Sequence, residues 1–307
     1  MINKLLLLVL ITLIVSCNLF KNHTIKTKSD SIAPPGTIEI SDNLFFDKTE
    51  ITNFGWVEYL FWMESVYGKN GDSYIEALPD TNVWSELNVN YSSLDTFYLR
   101  HPAYYNFPVV GISYEQAIQY SQWRSDRLME LQLIRYGKIP FTKPTNSKDS
   151  TFTIKKYLDG QFLGFKPSED SLFYPQYSLP DSATFFRASH FADSINSKNY
   201  KHCKEKYCSE QSLIECNCIE NKPFITDSLP YGPTPTFSTS CSSCKKELIT
   251  HLKGNIREMT DIQGQFYGLS FINSCELNYN KCRSDSALVN SYTGFRNICS
   301  YKKWKRK

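Results

Sequence analysis

The segment "GLSFINSCELNYNKC", Gly268 to Cys282, carries two of the chain's ten cysteines, Cys275 and Cys282. Two thiols held close together can work as a redox pair. Oxidised, the same pair closes a disulfide, which needs α-carbons about 5.5–6 Å apart. A hairpin between the two positions would supply that approach. Three states stay open for the pair: structural disulfide, unpaired thiols, working redox pair. The bias of exported proteins toward disulfides puts the first ahead. Six more cysteines, Cys203, Cys208, Cys216, Cys218, Cys241 and Cys244, crowd one polar segment. Cys241-x-x-Cys244 has the spacing of half a zinc site, but Cys216-Asn-Cys218 is a poor second half. Disulfides are therefore expected over zinc binding at Cys216, Cys218, Cys241 and Cys244. Cys299 completes the disulfide candidates. With Cys17 set aside for the reason given below, nine cysteines remain (10 − 1), so at least one is free, metal-bound or joined to another chain.

The five histidines offer no hydrolytic constellation. His101 precedes Pro102 and reads as part of a structural turn. His190 and His202 lie near the cysteine-dense segment and could assist a metal there, although lone histidines are ordinarily surface residues. No phosphate-binding glycine loop, nucleophile elbow or paired-carboxylate arrangement is legible.

The chain opens "MINKLLLLVLITLIVSC". Its apolar run, Leu5 to Val15, is too short to cross a bilayer as a helix, which takes roughly 20 residues. A short basic start, an apolar core and a small residue before a cut make a secretory signal. Leu13-Ile14-Val15-Ser16-Cys17 also resembles a bacterial lipobox. In that kind of signal the cysteine is acylated and becomes the new N-terminus, which makes Cys17 the expected lipidation site. Buried acyl chains contribute about 0.8 kcal/mol per methylene, so such an anchor is effectively permanent. The net charge of +3 gives no electrostatic case for nucleic acid. The last residues, "YKKWKRK", are locally basic and could meet an acidic partner or lipid headgroups. Such terminal runs are more commonly solvated and mobile.

The elements that must position these residues follow from pattern. Residues 1–16 read as signal peptide, and 17–35 as anchor and tether ending in Pro34-Pro35. Residues 36–300 form one domain, followed by the basic tail 301–307. "GTIEISDNLFFDKTEITN" alternates as a strand or two. Thr52 or Asn53 caps a helix that places Val57, Leu60 and Phe61 on one face and stops at Gly68. Ser113 and Gln116 have capping-box spacing before a second helix, with Tyr114, Ala117, Ile118 and Leu128 on one side. Asp181 caps a third helix. Residues 138–176 read as a long surface insertion, and 197–245 as a second, cysteine-rich one.

These landmarks come in a recognisable order. "FFDKTEITNFGWVEYLFW", "HPAYYNFPVVGISYEQAIQYSQWRS", "KGNIREM", "GLSF" and "YTGFR" resemble successive signatures of the formylglycine-generating-enzyme, or sulfatase-modifying-factor, family. The match runs from Gly36 to Cys299 and includes Gly254, Asn255, Glu258, Gly294, Phe295 and Arg296. "LPDTNVWSELNVNYSSLDTFYLRHPAYYNFPVVGIS" further resembles the lipoproteins of bacterial gliding motility and type IX secretion, of the GldK/PorK kind. The resemblance implies an α/β (α+β) fold, C-type-lectin-like, with much irregular loop. It implies a non-catalytic role at the outer membrane, facing the periplasm, in a complex with other envelope proteins that include a ring-forming partner. Catalytic members use copper and oxygen. In them the first cysteine follows "G-G-S-W/F" by two residues and the second comes five later, with an arginine-rich strand after. Here Cys275 follows Phe271 by four residues, Cys282 comes seven later, and only Arg283 follows. Ser182, Thr184 and Phe186 also stand where the family's third helix usually carries glutamates. The expectation is therefore no catalytic residue and no cofactor. The alternatives are a copper oxidase of sulfatases working through Cys275 and Cys282, and a lectin-like ligand-binding module.

Overall fold

The computed structural model describes residues 33–142, 151–202, 232–236, 249–273, 281–286 and 289–306. The hairpin expected near the start forms as β1 (Thr37–Ser41) and β2 (Leu44–Asp47). It turns at Asn43, whose φ of 58° is the left-handed conformation that asparagine tolerates. α1 (Asn53–Tyr67) follows, capped by Thr52 Oγ1 accepting from Gly55 N at 3.1 Å and ending at Gly68 with φ 77°. Three short helices, α2 (Asp72–Glu76), α3 (Val83–Leu87) and α4 (Ser92–Phe97), lead to the long α5 (Tyr114–Arg135). The Ser113–Gln116 capping box forms in both directions, at 3.1 and 2.7 Å.

After α6 (Ile154–Leu158) come β3 (Ser171–Ser178) and α7 (Ser182–His202). Asp181 Oδ1 accepts from Thr184 N at 2.6 Å, the expected cap of α7. Short strands β4 (Arg257–Met259), β5 (Gln265–Tyr267), β6 (Arg283–Ser284) and β7 (Thr293–Gly294) precede β8 (Ile298–Lys305). Two four-stranded sheets result, ordered β1-β2-β8-β3 and β6-β5-β4-β7. This is the mixed helix-and-strand class read from the sequence, with much irregular chain.

Three expectations are corrected. The buried stripe of α1 is Trp56, Tyr59, Leu60, Met63 and Val66, whereas Phe61 is 72 % exposed. The helix is apolar on nearly every side, so its spacing alone did not choose a face. The stretch 138–176 is not a surface insertion. Phe152, Tyr157, Phe162 and Leu172 bury with Met129 and Leu133 of α5 in a core of their own. β3 pairs along its whole length with β8, from Ser171↔Lys305 to Ser178↔Ile298. The basic end is likewise not a free tail, since residues through Lys305 are strand and Trp304 packs against that same core.

Two disulfide expectations are corrected as well. Cys282 and Cys299 are free thiols. Cys299 lies across from Phe45 on one side and Tyr177 on the other, fully buried and packed with Leu128. It serves as a small core hydrophobe, and burial pushes its thiol up to about 12. Cys17, Cys203, Cys208, Cys216, Cys218, Cys241, Cys244 and Cys275 lie outside the described residues.

Candidate functional site

The motif residues that stand far apart in sequence meet at the junction of the two sheets. Arg296, immediately before β8, is fully buried. It forks onto Glu258 of β4, Nε donating to Oε2 at 2.7 Å and Nη2 to Oε1 at 2.6 Å. Its remaining donors reach the Thr250 carbonyl at 2.9 Å and the Asp47 carbonyl at 3.2 Å. Glu50, just after β2, places Oε2 4.0 Å from Arg296 Nη2. Its Oε1 accepts from Asn255 Nδ2 at 2.9 Å. Asn255 in turn accepts from Thr234 N at 2.7 Å, with φ 73°. Gly294 is required for packing, because a Cβ there would stand 2.4 Å from Ile256 Cδ1 and 2.6 Å from the Val109 carbonyl.

A second charged tie lies alongside. Arg124 of α5 forks onto Asp47 at 2.7 and 3.1 Å and lies over the Tyr177 ring at 4.1 Å. Asp47 also accepts from Asn297 N at 2.8 Å. Three carboxylates, Asp47, Glu50 and Glu258, thus share two arginines at a buried junction, with Asp47, Glu50 and Arg124 also reaching the edge of a cleft. Burying charge is costly unless it is paired. Burial raises the carboxyls of Glu50 and Glu258 to about 7 against the opposing pull of Arg296. The fork keeps Glu258 the better-compensated anion. Glu50 has one oxygen, Oε2, without a hydrogen-bond partner. Their geometry holds β2, β4 and β8 together. The residues were legible as motif, but their ionic role was not, because the partners lie over two hundred positions apart (Glu50 to Arg296).

The segment singled out for redox chemistry leads elsewhere. Phe271 is buried and stacks near Trp84, centroids 6.4 Å apart. Two residues on, where catalytic relatives were expected to carry the first cysteine, stands Asn273. Its Oδ1 closes a turn, accepting from Ser270 N and Ser270 Oγ, each at 2.8 Å. Cys282 is half-buried before β6 and its Sγ approaches Gln265 Oε1 at 3.4 Å. Among the described residues no three histidine, cysteine or acidic side chains are grouped to hold a metal. His101 Nδ1 accepts from Ala103 N at 3.2 Å, the structural turn expected, and His190 is exposed. The side chain of His202 lies outside the described residues.

Two clefts open on α5. One, of about 410 Å³, is bounded by Gly55, Glu58, Tyr120, Trp123, Arg124 and Arg127. The other, of about 540 Å³, is bounded by Asp126, Lys155, Asp159, Tyr174 and Trp304. Among the described residues, neither is lined by a cysteine. Asp126, mostly buried there, has its carboxyl raised to about 6 by burial, although its Oδ1 accepts from Ile154 N at 2.8 Å.

A mixed α/β domain whose signature residues form a buried ionic junction defines the class. The family model described as "Sulfatase-modifying factor enzyme 1-like domain" matches residues 18–297, and the chain belongs to this family. A solved structure titled "Crystal Structure of CarF" is similar over 84 % of this chain and 86 % of that one, at 15 % identity and a TM-score of 0.41. No curated protein matches the chain.

Proposed function

We propose that this protein is a non-catalytic member of its family, anchored to the outer membrane through a lipid on Cys17 and acting as an interaction component of an envelope complex. The gliding-motility and type IX secretion machinery is the complex its sequence most resembles. The observation that carries the non-catalytic part is Asn273. At the place of the first catalytic cysteine it offers a carboxamide already used to close a turn on Ser270. A neutral amide is no substitute for a thiolate as a Cu(I) ligand. The signature residues Asn255, Glu258 and Arg296 are consumed in the buried junction, and so present nothing to a substrate.

One observation favours the copper-dependent reading. Cys282 is a free thiol rather than half of a disulfide. Among the described residues its Sγ approaches an amide oxygen, that of Gln265, and no second thiol, whereas a copper site of this type needs two soft donors.

The reading is tested in cells. Cys17→Ser should move the protein out of the membrane fraction or leave it as uncleaved precursor. Cross-linking the intact protein in membranes should recover a discrete partner set, lost in that variant. Unchanged fractionation of Cys17→Ser would remove the anchor from the account, and recovery of the protein alone would remove the complex.

A further inference from the structure

The basic run "YKKWKRK" has no part in the junction described above, yet it is held in a fixed frame. β3 fixes β8 from one side as far as Lys305. β2 reaches only Cys299 on the other side, and the Asn43 side chain spans Tyr301, so β8 has an open edge beyond that point. Lys302, Lys303 and Lys305 are exposed there, and none is ion-paired among the described residues. Arg306, by contrast, is held by Asp170 at 3.2 Å and donates to the Pro167 carbonyl at 2.8 Å.

The surroundings are apolar as well as basic. The loop that carries Pro167 exposes Leu163, 50 % accessible, and Lys166. Lys138 pairs with Glu169 of that loop at 3.0 Å, and three residues beyond Lys138 stands Phe141, 71 % exposed. Opposite Lys302 and Lys303 lie the half-buried rings of Tyr174 and Phe173. Lysines can guard an open strand edge against pairing. That role gives no reason for the two large apolar side chains held out to solvent on the segments that pack around Arg306 and Glu169. Cations interleaved with exposed apolar groups and amphipathic rings suit a bilayer interface.

We infer that this end of the β1-β2-β8-β3 sheet docks on anionic phospholipid headgroups, with Lys302, Lys303 and Lys305 meeting phosphate and Phe141 and Leu163 entering the interface. The inference rests on the anchored reading of Cys17. The chain from Cys17 to the first described residue, 33, can span at most about 55 Å, which keeps the domain within reach of the bilayer. A lysine near an anionic surface contributes about 1 kcal/mol. Three should therefore raise the partition onto anionic vesicles by roughly a hundredfold.

The test uses the mature chain from Asn18, without its lipid, so that the anchor plays no part. Co-sedimentation is measured with vesicles of phosphatidylcholine alone and with phosphatidylglycerol added to about a third. Binding is expected only to the anionic vesicles and should fall steeply with salt, as screened charges require. The triple variant Lys302→Gln, Lys303→Gln, Lys305→Gln should lower it about a hundredfold. Phe141→Ala with Leu163→Ala should weaken it without changing the salt dependence. The urea midpoint of each variant shows that the fold is kept. Equal binding to both vesicle types, no binding to either at low salt, or an unaffected triple variant overturns the inference. Retention on an acidic polypeptide without retention on vesicles also overturns it, and assigns the strip to a protein partner. These outcomes do not depend on whether Cys17 is acylated, which fractionation of Cys17→Ser decides separately.

Discussion

Arg296 is the residue whose loss the interior can least compensate. Removing its guanidinium leaves Glu258 and Glu50 as buried carboxylates without a counter-charge, and breaking such a pair costs about 3–5 kcal/mol. Arg296→Met should therefore lower the free energy of urea unfolding by that amount, whereas a loss below about 1 kcal/mol would show the junction to be a bystander. With Glu258, Glu50 carries the pH response. Its folded carboxyl titrates near 7 and its ordinary value is 4.5, so the folded state holds the proton more tightly. That contribution is complete below 4.5 and is lost as pH rises through 7. Unfolding midpoints should therefore be higher at pH 5 than at pH 8. Glu258, raised to about 7 by the same burial, contributes alongside it, so Glu50→Gln, which keeps the shape and removes the charge, should remove only part of this difference. Asp126, raised from 3.8 to about 6, contributes its own smaller share in the acid half of the window and remains in that variant. A pH profile equally steep in wild type and Glu50→Gln would assign the effect to other groups.

Elements recruited late in the chain carry more of the fold than their composition suggests. Phe152 is fully buried among Tyr157, Phe162 and α5, so Phe152→Ala should cost about 3–5 kcal/mol. Phe141→Ala, at an exposed ring nearby, should stay within about 0.5 kcal/mol. If the two measure alike in denaturant titrations, the stretch before β3 is peripheral after all. What sequence made visible at this scale was local chemistry. The Thr52, Ser113 and Asp181 caps all form, because a cap depends on residues within one turn. Strand identity in β3 was not visible, because "SLFYPQYS" carries a proline and its partner β8 begins 120 residues after it ends (298 − 178). The same distance hid the basic end of the chain, whose lysines mark an open strand edge rather than a tail. At the site, the signature letters were readable but the contacts were not, since Glu50 meets Asn255 and Arg296 only through tertiary packing.

As a whole molecule, the protein is a family member in which the signature residues build the scaffold. No helix among the described residues is long and apolar enough to cross a membrane; the attachment proposed above is through Cys17 and the basic sheet end. The cysteine-dense stretch from Cys203 to Cys244 is expected to hold mostly disulfides, and thiol labelling of the denatured, non-reduced protein should find few reactive groups there. Stoichiometric zinc, released by chelation together with four new reactive thiols, would reverse that expectation. The central claim we propose is that this protein has no oxidase activity, because Asn273, two residues after Phe271, already closes a turn on Ser270 and Cys275 and Cys282 depart from the family's spacing. Misplacing reactive groups forfeits the orientation that supplies about 7–11 kcal/mol in well-built sites. The most direct measurement is incubation of the purified protein with a sulfatase-motif cysteine peptide, Cu(I) and oxygen, with aldehyde formation followed by mass. The account predicts no conversion above a protein-free control. Copper-dependent conversion that vanishes in both Cys275→Ser and Cys282→Ser would contradict it.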